Sequence, residues 1–231
     1  MREAVIVSTA RIPIGKAYKG AHNNTNAPQL GGFAIKNAIV KTGIDPEEVD
    51  DVIMGCAMQQ GTTGRNLARL SALSGGFPDS VSGMSIDSQY SSGMMSIAST
   101  AKQIIVDGMD TVTGGGLESI SLVQNKTMNT YRMIDNELVK KHKNIYMPML
   151  QNAEVVSNRY NISREAQNEY SFNSQMRTAR AQESDKFDDE IVSTNTEMAI
   201  HNKEKGSKIY CYNYVYWRKN VSCRSFSNNI K

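Results

Sequence analysis

The 231-residue chain holds only three cysteines, Cys56, Cys211 and Cys223. Three thiols cannot build a disulfide framework, and no pair stands at metal-ligand spacing from histidines, so a reducing compartment and a metal-free protein are expected. Histidine is as scarce, with His22, His142 and His201 all in polar contexts where a solvated imidazole is the ordinary reading. Long apolar runs are missing too. Nothing approaches the roughly 18 residues of a membrane span, and Ala4–Val7 is too short for a signal-peptide core. A cytoplasmic protein is the expectation.

Acidic residues stop at Glu204, after which Lys205, Lys208, Arg218, Lys219, Arg224 and Lys231 carry charge of one sign only. Of the chain's 26 basic and 23 acidic residues, residues 1–204 therefore hold 20 and 23, a net of −3, and the overall +3 belongs to the tail. A nucleic-acid binder spreads its basic footprint over a folded face, so the composition argues against that class. The tail also concentrates Tyr210, Tyr212, Tyr214, Tyr216 and Trp217. It reads either as a local aromatic ribbon or as sequence translated past a frameshift, and the two stay open on composition alone.

What is present is an alternation of short apolar strands with amphipathic helices, the pattern of an α/β fold with a parallel sheet. Ala4–Ser8 reads as a buried strand. Pro28 in a first turn and Gly43 past the last apolar residue bound a helix. Asp45-Pro46-Glu47-Glu48 caps a short helix that feeds a strand over Asp51–Met58. Arg65–Ser74 is a helix, Val81–Gln89 is extended, and Ser91–Val106 is a helix of small residues of the kind packed on several sides. Met109–Thr113 is a strand ending in Gly114-Gly115-Gly116. Residues 122–149 read as a loop-rich insertion, followed by helices over Leu150–Arg159 and Ser163–Gln182 and an extended segment over Phe187–Val192. Chemistry would sit in the segment Ser85–Met95, an extended run, a sharp turn and the start of a buried helix, which favours a thiolate or an oxyanion. There Tyr90 is either at a nucleophile's place or an ordinary packed aromatic.

Five ordered segments resemble the thiolases, the acetyl-CoA acetyltransferases and 3-ketoacyl-CoA thiolases: Met1–Lys16, Gln59–Gly61 with Arg65–Arg69, Gly115–Ser121, Ile162–Gln167 and Lys186–Val192. The resemblance runs from residue 1 to about 206. It implies a thiolase-like fold, with 1–121 as most of an N-terminal half, 122–206 as part of an inserted loop domain covering coenzyme A, and 207–231 as a divergent tail. The family's nucleophile motif, Asn/Asp-Arg-x-Cys-x-Ser-Gly, reads Asp87-Ser88-Gln89-Tyr90-Ser91-Ser92-Gly93 here. Tyr90 thus takes the cysteine's place, and the resemblance implies a non-functional catalytic position, because a phenol titrating near 10 attacks an acyl carbonyl poorly at neutral pH. Its ring is also large for a slot shaped to a thiol. Ser91 is expected to serve packing, and Cys56 to be a small buried apolar residue.

Further expectations follow from the same resemblance. Met147, beside Tyr146 where relatives carry a His-Met pair, is the candidate contact to a coenzyme A pantetheine, with a core plug as its ordinary alternative. Coenzyme A thioesters would be substrates rather than cofactors. Ser85–Gln89 would pair two subunits, as a homodimer or with an intact thiolase. The family's His and second Cys motifs lie in a half that these residues do not include. The readings are an inactive acyltransferase homologue or a non-enzymatic subunit, with an open sheet edge that favours aggregation.

Overall fold

In a computed structural model of the chain, residues 2–202 and 207–215 are described. They form two compact units, one of residues 2–128 with 190–202 and 207–215, and one of residues 129–189. The expected tail therefore divides: residues 207–215 form a strand, and the rest lies outside the described residues, as do the side chains of Cys211 and Cys223.

The first unit is layered. Helix α1 (Ala27–Thr42) begins with Pro28 in its first turn and closes on Gly43, whose φ of 73° is the left-handed geometry that a C-terminal glycine supplies. A 3-10 turn over Pro46–Glu48 carries a complete capping box, with Asp45 accepting from its first turn and Glu48 reaching back to the Asp45 amide. Strand β1 (Asp51–Gly55) follows, then α2 (Leu67–Ser74), β2 (Ser82–Ile86), α3 (Ser92–Lys102) and β3 (Val112–Gly116). The sheet is parallel with order β2-β1-β3, and all five residues of the central β1 are buried, as a strand covered on both faces requires. On one face Val52 and Met54 pack with Ile35, Ile39, Ala68, Ala72, Phe77 and Val81. The other face meets α3.

Buried Asp51 is fully engaged at the start of β1. Its Oδ1 accepts from the Val52 amide at 2.9 Å and the Ser82 hydroxyl at 2.8 Å, and its Oδ2 accepts from Gln103 Nε2 at 2.7 Å. Burial without such partners would cost several kcal/mol.

Three expectations change. The glycine run lies inside β3 and not after it, because α3 crosses that face: a Cβ on Gly114 would stand 2.8 Å from Thr100 Oγ1. The small-residue helix is buried along one stripe only, Ser92, Ser96 and Thr100, while Met94 is 74% exposed and the helix gives way to a π-turn over Gln103–Asp107. Its other faces are uncovered here. Ala4–Ser8 is not a buried strand either: Val5, Ile6 and Val7 are 69–78% exposed and pair with no strand. The apolar pattern is genuine, but among the described residues no strand lies beside it to bury it.

Of the glycines described, Gly55 leaves the least room for a side chain, where β1 meets α3. A Cβ on Gly55 would fall inside the van der Waals shell of the Ser92 carbonyl, a backbone group that cannot swing aside. Gly55→Ala is expected to lower stability by about 3 kcal/mol, read from the urea midpoint at unchanged slope.

Short helix α4 (Ile120–Val123) follows β3. Within the second unit, α5 (Asn136–Lys141), α6 (Met149–Tyr160) and α7 (Arg164–Glu183) are its helices, with Ser163 capping α7 by accepting from the Ala166 amide. Back in the first unit, β4 (Thr194–Asn202) pairs antiparallel with β5 (Ser207–Val215). The edge of β4 is held by Asn23, whose side chain exchanges two 2.8 Å hydrogen bonds with Ala199, and by Thr25 on Glu197. The expected extended run over Phe187–Val192 reduces to a parallel bridge between Ile191 and Arg11.

Candidate active site

In an open parallel sheet, ligands meet the C-terminal ends of the strands. At that edge the structure places the turn from β2 into α3 and the residues that leave β1 and β3. Tyr90 occupies the turn with φ of 65°, a left-handed conformation that a bulky residue adopts only under constraint. The constraint is a serine cluster. The Ser88 amide donates to Ser92 Oγ at 3.1 Å, and the Ser91 amide and hydroxyl both donate to the Ser88 carbonyl, at 2.8 and 2.7 Å. Ser88 and Ser91 also bring their hydroxyls within 3.0 Å. The turn thereby presents residue 90 at the positive end of α3.

Tyr90 is 83% exposed, so it is not a packed aromatic: among the described residues nothing covers its side chain. The Ser91 hydroxyl is committed to Ser88, and among the described residues no histidine or carboxylate bonds to it.

Cys56 lies just past β1, is 1% exposed, and donates its amide to the Ile86 carbonyl at 2.9 Å. Its Sγ donates to Glu118 Oε2 at 3.5 Å, while Glu118 Oε1 accepts from the Ala57 amide at 2.5 Å. Burial first, then the adjacent carboxylate, push the thiol up to about 12. The carboxylate partner was missed from the sequence, because strand register and not local spacing brings it to Cys56. Parallel pairing of Gly55 with Gly116 sets the residue after β1 beside those after β3.

His22 also departs from expectation. Rather than solvated, it is half-buried, with Nε2 2.9 Å from the Pro13 carbonyl oxygen, and desolvation lowers its pKa. Met147, half-buried in the second unit, donates its amide to Asn144 at 3.0 Å. Its neighbour Tyr146 accepts from the Asp135 amide at 3.1 Å through its hydroxyl. Among the described residues no group of three or more His, Cys, Asp or Glu side chains is placed to hold a metal ion, and no helix is long and apolar enough to cross a membrane.

A parallel sheet with helices on its faces and a constrained turn at a helix N-terminus defines a layered α/β fold. The model of the thiolase N-terminal domain matches residues 4–209, and the chain belongs to the thiolase family. It is 37% identical over 192 residues to a 3-ketoacyl-CoA thiolase of Bacillus subtilis, covering 83% of this chain and 49% of that protein. It is 32% identical over 237 residues to a probable acetyl-CoA acyltransferase of Staphylococcus aureus, covering 98% of this chain and 58% of that protein. That alignment runs into the segment after Ser207. The crystal structure of the Bacillus anthracis acetyl-CoA acetyltransferase superposes with a TM-score of 0.69 at 32% identity, over 91% of this chain and 54% of that one. The chain thus spans about half the length of the relatives it matches.

Proposed function

We propose that these residues form a thiolase-type scaffold that does not transfer acyl groups. One observation carries the reading: the side chain presented by the constrained turn at α3 is the phenol of Tyr90, in solvent and unsupported by any base. Acyl transfer by this family's chemistry needs a thiolate that attacks the thioester carbonyl and later releases the acyl group to a second nucleophile. Cys56 cannot substitute, since a buried thiol held near 12 is a thiolate in only about one molecule in 10⁵ at neutral pH. Coenzyme A thioesters remain the substrate class that the scaffold's ancestry implies, with Met147 the proposed pantetheine contact in the second unit. No metal or prosthetic group enters this chemistry.

The purified chain is expected to show no thiolysis of acetoacetyl-CoA. Turnover that disappears in Cys56→Ser or Ser91→Ala would overturn the proposal.

A second reading, a non-enzymatic subunit that pairs with a second copy or an intact thiolase, is favoured by the outer edge of β2. That edge pairs with no strand among the described residues, and Met84, Met94 and Met95 stand 42%, 74% and 38% exposed on β2 and on the helix that follows it. Pairing through Ser85–Gln89 would use it. Co-purification with the Bacillus anthracis enzyme, abolished by Ser85→Pro, is the expected result; a chain that stays alone sinks the subunit idea.

A further inference from the structure

Helix α7 runs for 20 residues and buries none of them among the described residues. Helices in proteins draw most of their stability from one face packed on a neighbour. One face of α7 carries a pattern suited to that. Positions 169, 172, 176 and 180 recur at three- and four-residue spacing and lie along one stripe. Glu169, Phe172, Met176 and Arg180 fill them, so the stripe is acidic toward its N-terminal end, apolar at its centre and basic toward its C-terminal end. Phe172 stands 63% exposed, and Glu169, Met176 and Arg180 are exposed with it. Neither Glu169 nor Arg180 forms an ion pair among the described residues.

The same face is recessed. A hollow of about 500 Å³ is lined by Phe172, Asn173, Met176, Arg177 and Arg180. Asn173, Met176, Arg177 and Arg180 stand at i, i+3, i+4 and i+7, a diamond of four side chains of the kind that receives one knob from a facing helix. Its rim is set in advance: Arg177 Nε donates to the Asn173 carbonyl at 3.3 Å and lies along the helix. Aromatic residues, Met and Arg are the side chains that protein interfaces concentrate.

We infer that this face of α7 is a self-association surface, on which a second copy of the chain docks its own α7 antiparallel, each Phe172 entering the recess of the other copy. The charges select both the partner and the direction. With Phe172 over the recess, whose centre lies between positions 176 and 177, antiparallel register sets Glu169 of each copy opposite Arg180 of the other. Parallel alignment would set Glu169 on Glu169 and Arg180 on Arg180, and like charges placed opposite one another cost affinity. A two-fold of this kind closes the assembly at two copies. The surface lies wholly within the second unit, so the inference is independent of the catalytic reading and of the β2 edge.

The test is sedimentation velocity on the full chain at low salt over a wide concentration range. Expected is a monomer–dimer equilibrium. Glu169→Arg and Arg180→Glu should each raise the dissociation constant at least about tenfold. An equimolar mixture of these two variants should recover the parent's affinity, because the two reversed charges then face each other. Phe172→Asp should abolish the dimer. All three positions are exposed, so each variant should keep the parent's helical circular dichroism. A chain that stays monomeric overturns the inference, as does association that neither charge reversal weakens. Weakening by both reversals without recovery on mixing rules out the antiparallel register and overturns it too. A dimer lost in Ser85→Pro and kept in the α7 variants would place the contact at β2 and overturn the proposed surface.

Discussion

Tyr90→Cys is expected to create a thiol that reacts with iodoacetamide along a pH profile with its midpoint below the 8.5 or so of a free cysteine. In a Cys211→Ser, Cys223→Ser background, residue 90 should take nearly all of the label at neutral pH. The turn that holds Tyr90 at φ of 65° is built by the serine cluster and not by the phenol, which bonds to nothing among the described residues. Replacing it therefore leaves the geometry standing. The new sulfur would then sit before the free amides of the first turn of α3, where the helix dipole favours the thiolate. A midpoint at or above 8.5 would mean that the turn does not aim residue 90 at the helix axis, and the catalytic reading of the site would lose its geometric basis. Thiolysis is a further demand, because releasing the acyl group needs a base, and among the described residues no imidazole or carboxylate bonds to Ser88 or Ser91.

The helices and the sheet were legible where local chemistry decides. Pro28 with Gly43, the Asp45 N-cap and Ser163 each fixed a boundary within a residue or two. Glycines misled because their reason is tertiary. Gly114–Gly116 look like a strand's end until α3 is known to cross them, and only then does the absence of side chains become a packing requirement. Ala4–Ser8 misled for the opposite reason. Alternation and β-branching report what a segment could pair with, and in this structure no strand lies there to pair. The motif around Tyr90 was readable as a position and not as an environment. Whether the ring was packed or in solvent depended on which faces of α3 are covered, and that is written in no local spacing. Likewise the Glu118 carboxylate reached Cys56 through strand register, which ties residues 62 apart in sequence.

In the same background with Tyr90 retained, Cys56 is expected to be labelled at pH 7.5 at least about a thousandfold more slowly than in urea-unfolded chain, since its thiolate is disfavoured by roughly three pH units against an ordinary cysteine. The folded value lies above the unfolded one, so the thiol's contribution to stability is complete below about pH 9. It is lost as pH rises toward about 12, where the folded chain resists a deprotonation that the unfolded chain completes. Urea midpoints should therefore fall in that alkaline window, and a Cys56→Ala variant should lack this component of the fall. Glu118→Gln separates the two causes. The amide oxygen can still accept from Ala57, so the loop geometry is kept, while the negative charge beside the sulfur is gone. Thiolate absorbance should then titrate below the parent value yet above an ordinary cysteine, because burial, the larger cause, remains. A thiol that returns fully to its ordinary value would make Glu118, and not the packing under β1, the group that holds Cys56 inert.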